Sequence, residues 1–218
     1  MKERAVLEKI LLFEGIKKES IENLEKRLKP RSYSKGETII HQDDDGSSMF
    51  LIISGRLKVV STIEDGKEAL LDFLHDGDYF GELSLFDQES RSASVIAVED
   101  SVLIRISRAE LLGFLERHPE ANLILLRSLA KRIRGITTNL SSLAQLDVYG
   151  RIARVLLQEA VDEQGELVTP RMTQQDIGEM VGASREMVSK ILKDLRIGGY
   201  ISIQDKRIRI HRKLPSHW

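Results

Sequence analysis

Between residues 33 and 106 the apolar positions fall into short β-branched and aliphatic runs, at 38–40, 49–53, 57–61, 69–74, 95–98 and 102–106. Turn formers punctuate them: Asp43-Asp44-Asp45-Gly46, Ser54-Gly55, Glu64-Asp65-Gly66 and Asp76-Gly77-Asp78. Many short runs with glycine-bearing turns predict an antiparallel β-barrel or jelly roll. Ahead of them, helical spacing at 6–13 and 20–28, ending at Gly15 and Pro30, predicts two short helices covering one end of that barrel.

From residue 107 the period changes to that of helices. Ser107 and Glu110 make a capping box that starts a helix through residue 117, and His118-Pro119 separates it from a continuous segment at 120–146. There Leu126, Leu129, Ile133, Ile136, Leu140 and Leu143 repeat alternately at three and four residues, a heptad seam that wants a partner helix. Packing on its own domain is one solution. No second heptad run exists in the chain, so the simplest partner is a second copy, and a homodimer is expected. Asp147 is suited to cap a helix at 148–160 whose Ile152, Val155, Leu156 and Leu157 face a second core, which makes Asp147 a hinge. The pattern divides the chain into a β-rich domain at 1–118, a dimerisation helix at 119–146 and a third domain at 147–218. The expected fold class is α+β.

The third domain carries the most specific pattern. After a loop at 162–171, Thr173 and Asp176 cap a short helix to Met180. Val181-Gly182-Ala183 forms a tight turn, and Ser184 caps a second helix through Leu195. Helix, glycine turn and helix at this spacing is a helix-turn-helix. Ile177, Met180, Val181, Val188, Ile191, Leu192 and Leu195 form its inner face, leaving Arg185, Glu186, Ser189, Lys190 and Lys193 outward. Arginine and lysine can donate to guanine O6 and N7, and glutamate can accept from cytosine N4, so this face suits base edges in a major groove. Residues 200–203 and 207–211 around Asp205-Lys206 predict a hairpin wing, with Lys206 and Arg207 placed for phosphates.

Charge agrees with that assignment. The formal net charge of −1 conceals 21 Lys and Arg against 24 Asp and Glu in residues 1–146, and 10 against 5 in residues 171–218. A basic C-terminal end fits an acidic polymer. Cysteine is absent, which excludes disulfides, thiolate-ligated iron–sulfur clusters and cysteine nucleophiles. His41, His75, His118, His211 and His217 show no close ligand spacing, so neither a metal site nor an enzyme is expected. No apolar run approaches membrane-spanning length and no signal peptide is evident, so a cytoplasmic location is expected.

A second cluster of chemistry lies inside the β-rich domain. In Tyr79-Phe80-Gly81-Glu82-Leu83-Ser84-Leu85, followed by Arg91-Ser92-Ala93-Ser94, Gly81 lets a ligand approach the backbone while Glu82 and Arg91 supply an acceptor and a bidentate donor. An arginine for a phosphate and a carboxylate for a sugar hydroxyl suit a nucleotide. A Glu82–Arg91 salt bridge closing a barrel loop is the other reading of that spacing.

The Gly81-Glu82-Leu83 and Arg91-Ser92-Ala93 cassette, the long helix, the Leu146-Asp147-Val148 hinge and the helix-turn-helix together resemble the cyclic AMP receptor protein family of bacterial regulators. The resemblance covers nearly the whole chain. It implies a cyclic-nucleotide-binding β jelly roll, a dimerisation helix and a C-terminal winged helix-turn-helix. It implies that Glu82 holds the ribose 2′-hydroxyl, that Arg91 and Ser92 hold the cyclic phosphate with Gly81, Leu83 and Ser84 around it, and that Thr137 touches the base. It also implies DNA contacts from Thr173, Gln175, Ser184, Arg185, Glu186, Ser189, Lys190 and Lys206. The expected partners are palindromic DNA with TGTGA-like half-sites, a second copy of the chain and RNA polymerase, with 162–169 as one candidate surface for the polymerase. Cyclic AMP is the expected effector. Two departures bear on this: Lys190 stands where arginine is usual, and Ile136 precedes Thr137 where two hydroxyl residues are usual. Cyclic GMP, a cyclic dinucleotide and ligand-independent activity are the alternatives.

Overall fold

The structure is a computed structural model and describes residues 7, 10–62 and 68–215, without the side chains of Leu11 and of 139–145. The expected turn at 64–66, the side chains of the seam positions Leu140 and Leu143, and residues 6, 8 and 9 of the expected helix at 6–13 lie outside the described residues. The chain divides into two compact units, residues 1–132 and 133–218.

The first unit opens with a 3-10 turn at Leu11–Phe13 and helix α1 (Lys18–Glu25). Eight strands follow: β1 (Pro30–Tyr33), β2 (Thr38–Ile40), β3 (Ser48–Ser54), β4 (Leu57–Thr62), β5 (Glu68–Leu74), β6 (Tyr79–Phe80), β7 (Ser94–Ala97) and β8 (Ser101–Ser107). Helix α2 (Leu83–Asp87) lies between β6 and β7, α3 (Arg108–Arg117) follows β8, and α4 (Pro119–Gln145) begins in this unit. The strands form two antiparallel sheets, ordered β1-β8-β3-β6 and β2-β7-β4-β5. Phe50, Ile52, Phe80 and Leu103 of one sheet share a core with Leu57, Leu74, Val95 and Ala97 of the other. The alternate residues Met49, Leu51, Ile104 and Ile106 face a second layer made by the N-terminal segment, α3 and the start of α4. β3 is therefore covered on both faces, which is why its sequence reads as an unbroken apolar run.

The structure departs from the sequence reading in short elements. β1 starts at Pro30, read above only as a helix stop; an edge strand tolerates proline because its N–H is not needed there. α2 occupies a stretch for which the apolar pattern predicts no element. The capping box at Ser107 is present, with Ser107 Oγ accepting from Glu110 N at 3.3 Å and Glu110 Oε2 accepting from Ser107 N at 2.9 Å.

In the second unit α5 (Val148–Glu159) is capped by Asp147, whose Oδ1 accepts from Gly150 N at 2.7 Å. Ile152, Val155 and Leu156 enter the core, but Leu157 is exposed, one position off the buried stripe. The stretch read as a loop at 162–171 instead begins with a hairpin, β9 (Val161–Glu163) and β10 (Glu166–Val168), turned by Gln164 and Gly165 at positive φ. Next come α6 (Gln174–Val181), α7 (Arg185–Ile197), β11 (Ile201–Gln204) and β12 (Arg207–Ile210). The small sheet is ordered β11-β12-β10-β9, so the wing is extended by the hairpin. Ile177, Val181, Val188, Ile191, Leu192 and Leu195 are buried with α5 and the wing, and Met180 packs partly buried against them.

Candidate ligand pocket and DNA reader

In the first unit a cavity of about 140 Å³ is lined at one end by Gly81, Glu82, Leu83, Ser84, Arg91 and Ser92. Its remaining wall includes Val59, Asp72, Val95 and Arg132. The sequence-predicted cassette is thus assembled on one cavity, although Arg91 reaches it from across the α2–β7 loop. Glu82 and Arg91 are 1% and 4% exposed, and a buried charge needs partners.

Those partners differ from the salt bridge considered above. Arg91 does not hydrogen-bond Glu82. Its Nη1 donates to Gly81 O at 2.7 Å and Ser84 Oγ at 3.2 Å, and its Nη2 donates to Ser48 O at 2.5 Å. These bonds fix the guanidinium while placing its positive charge on the cavity. Gly81 is needed for that approach: it has φ +81°, and a Cβ there would lie 2.7 Å from Arg91 Nη1. Glu82 pairs instead with Arg132 of α4, Nη1 to Oε1 at 2.6 Å, and Arg132 Nη2 donates to Tyr79 O at 2.6 Å. Arg132 also lies over the Tyr79 ring, 5.1 Å from its centroid. Burial raises the Glu82 pKa, with Arg132 the strongest opposing influence. Ser92 and Leu83 are exposed at the rim. Thr137 lies on α4 in the second unit, where its hydroxyl donates to Ile133 O at 3.0 Å.

Arg132 is the residue the sequence reading missed. It was legible only as a cation off the apolar seam, because its partner lies fifty residues away with no local spacing to mark the pair.

In the second unit the helix-turn-helix is built on its caps. Thr173 Oγ1 accepts from Asp176 N and Asp176 Oδ2 accepts from Thr173 N, both at 3.0 Å. Gly182 takes the left-handed conformation that ends α6, and Ser184 Oγ accepts from Met187 N at 3.2 Å to start α7. Thr173 thus uses its oxygen as an acceptor and keeps an O–H to donate, whereas the Ser184 hydroxyl also bonds the Glu186 carboxylate. Arg185, Glu186, Lys190 and Lys193 are exposed along α7, Ser189 is half-buried, and Gln175 donates to Glu179 Oε1 at 2.8 Å on the surface of α6. Lys206 is exposed at the wing tip, where Asp205 and Lys206 both have positive φ. Arg207, expected to face phosphates, instead pairs with Glu163 and donates to Thr169 O at 3.2 Å, because β9 and β10 bring a carboxylate and a carbonyl beside it.

Among the described residues no group of three or more His, Cys, Asp or Glu side chains is placed to hold a metal, and no helix is long and apolar enough to cross a membrane.

Two family models match the chain: the cyclic nucleotide-binding domain over residues 30–118 and the Crp-like helix-turn-helix domain over residues 150–213. A CRP-like cAMP-activated global transcriptional regulator of Mycobacterium tuberculosis (strain ATCC 25618 / H37Rv) is 36% identical over 210 residues, covering 94% of each chain. The catabolite activator protein of Thermus thermophilus is 29% identical with a TM-score of 0.56, over 92% of this chain and 93% of that one. The c-di-GMP responsive global regulator CLP of Xanthomonas campestris shares the fold at 24% identity and a TM-score of 0.72, over 90% of this chain and all of that one. With the two domains in the expected order and a relative this similar along nearly its whole length, the chain belongs to the CRP family of DNA-binding transcription regulators.

Proposed function

We propose that this protein is a dimeric transcription regulator whose DNA affinity is set by a cyclic nucleotide in the first-unit pocket, cyclic AMP in the first place. The observation that carries this reading is the pair of buried charges, Arg91 and Glu82, on one cavity in a chain that also bears a helix-turn-helix. Arg91 and Ser92 take the cyclic phosphate, with Gly81, Leu83 and Ser84 around it. Glu82 accepts from the ribose hydroxyl, and Thr137 contributes to the base. The residues at 1–118 form the effector domain, those at 119–146 the dimerisation helix and those at 147–218 the DNA-binding domain. A ribose hydroxyl on Glu82 competes with Arg132, and Arg132 belongs to α4, so occupancy acts directly on the helix that carries the dimer seam. Thr173, Gln175, Ser184 and Lys206 position the duplex, while Arg185, Glu186, Ser189 and Lys190 read TGTGA-like half-sites about 34 Å apart. Residues 162–169, which include most of the β9–β10 hairpin, are one candidate surface for RNA polymerase.

Support for cyclic AMP comes from the relatives named as cAMP-activated. Cyclic GMP or a cyclic dinucleotide is the second reading, favoured by Ile136, which offers adenine no hydrogen bond. Calorimetric titration of nucleotide-free protein tests the pocket. Micromolar binding, near −8 kcal/mol, that is abolished by Arg91→Gln is expected. No heat with cyclic AMP, cyclic GMP or cyclic di-GMP would overturn it.

A further inference from the structure

One carboxylate on the cavity has no part in the cassette. Asp72 lies on β5, where it pairs with Val59 of β4, and Val59 pairs in turn with Val95 of β7. Residues directly opposite in a sheet share a face, so Val95, Val59 and Asp72 form one row, and all three line the cavity. Two apolar side chains are what the inner face of a jelly roll calls for. The third position holds an acid.

A bulge puts it there. Val60 pairs with Leu70 and Val59 with Asp72, so Leu71 is an extra residue in β5. In a regular ladder Leu71 would oppose Val59 and face the cavity; the bulge leaves Leu71 outside the lining, 56% exposed, and puts the Asp72 carboxylate on the cavity side, itself open to solvent there. Asp72 Oδ1 accepts from its neighbour Phe73 N at 2.9 Å, which orients the group. Although Asp72 is open to solvent at the cavity, the protein packed around it is the largest influence on its acidity and raises its pKa, against that N–H and the nearby Arg132.

The position fits the base of a nucleotide. Arg91 and Ser92 lead into β7, and β5 is two strand spacings away, about 10 Å across the sheet. With the phosphate at Arg91 and the ribose at Glu82, the base extends toward Asp72. A carboxylate has only acceptors to offer. The Watson–Crick edge of guanine presents two adjacent donors, N1–H and the N2 amino group, which match two carboxylate oxygens. Adenine presents one donor, the N6 amino group, beside the lone pair of N1, which faces a carboxylate unfavourably.

Resting on the reading of this cavity as a cyclic-nucleotide pocket, we infer that Asp72 reads the base edge and biases the pocket toward guanine over adenine. The inference concerns the ratio of the two affinities. Which ligand fills the pocket also depends on their concentrations.

The test is titration of the full-length protein with cyclic AMP and cyclic GMP, for wild type, Asp72→Asn and Asp72→Ser, with thermal melts to confirm folding. Asparagine offers one acceptor and one donor, the complement of adenine, and serine removes the charge. The affinity ratio of cyclic GMP to cyclic AMP is expected to fall at least tenfold in Asp72→Asn and in the same direction in Asp72→Ser. Should both ligands bind wild type and weaken equally in the variants, Asp72 serves only to anchor Arg132, and the inference is overturned while the pocket assignment stands. Should neither bind wild type, the pocket assignment itself fails and the inference with it.

Discussion

Arg91 and Arg132 bring two guanidinium groups to one cavity in different ways. Arg91 is held by two carbonyls and a hydroxyl and presents a fixed charge, whereas Arg132 is held by the carboxylate that a ligand would use. The second arrangement makes a pH prediction. Glu82 is raised from 4.5, so the folded state takes up its proton at higher pH than the unfolded chain does. Its contribution to stability is therefore full below the unfolded value and is lost as pH rises through the folded one. Arg132→Gln removes the strongest opposing charge and moves the folded pKa further up, which enlarges that loss and extends it to higher pH. Urea unfolding across roughly pH 5 to 8 should show a deficit relative to wild type that grows with pH; a constant deficit would contradict the pairing. At the other end of the chain, Arg185→Ala should cost about 1–3 kcal/mol of DNA binding and relax preference at one guanine. Equal loss on every base at that position would refute its reading role.

At the scale of elements, α4 exposes Leu126, Ile133 and Ile136 at 62, 64 and 61%, on the spacing of the seam read from the sequence. An apolar stripe on a long helix is stable in water when another surface covers it. Ile133→Glu with Ile136→Glu should convert the proposed dimer to a monomer in sedimentation and weaken DNA binding. A double variant that remains dimeric would move the interface elsewhere. What was legible in the sequence follows the same scale. The caps at Ser107 and Thr173 and the seam rest on residues three or four apart, and the sequence displays such pairs directly. β1 and the β9–β10 hairpin are three or four residues long, too short for a period to emerge, and form because β8 and β12 offer them edges. The Glu82–Arg132 pair and the placement of Asp72 on the cavity depend on chain crossings and a bulge, and no local pattern encodes either.

For the whole molecule, a ligand pocket and a DNA reader in one chain have functional meaning only if they are coupled. The coupling proposed here runs from Glu82 through Arg132 into α4, and thermodynamic linkage requires that ligand and DNA strengthen each other by the same factor. The most direct measurement is fluorescence anisotropy of one palindromic TGTGA-type duplex titrated with nucleotide-free protein, at fixed salt, with and without saturating cyclic AMP. The account predicts at least a tenfold gain in DNA affinity with cyclic AMP, and loss of that gain in Arg91→Gln. DNA affinity that is specific but unmoved by cyclic AMP would contradict gating by this ligand.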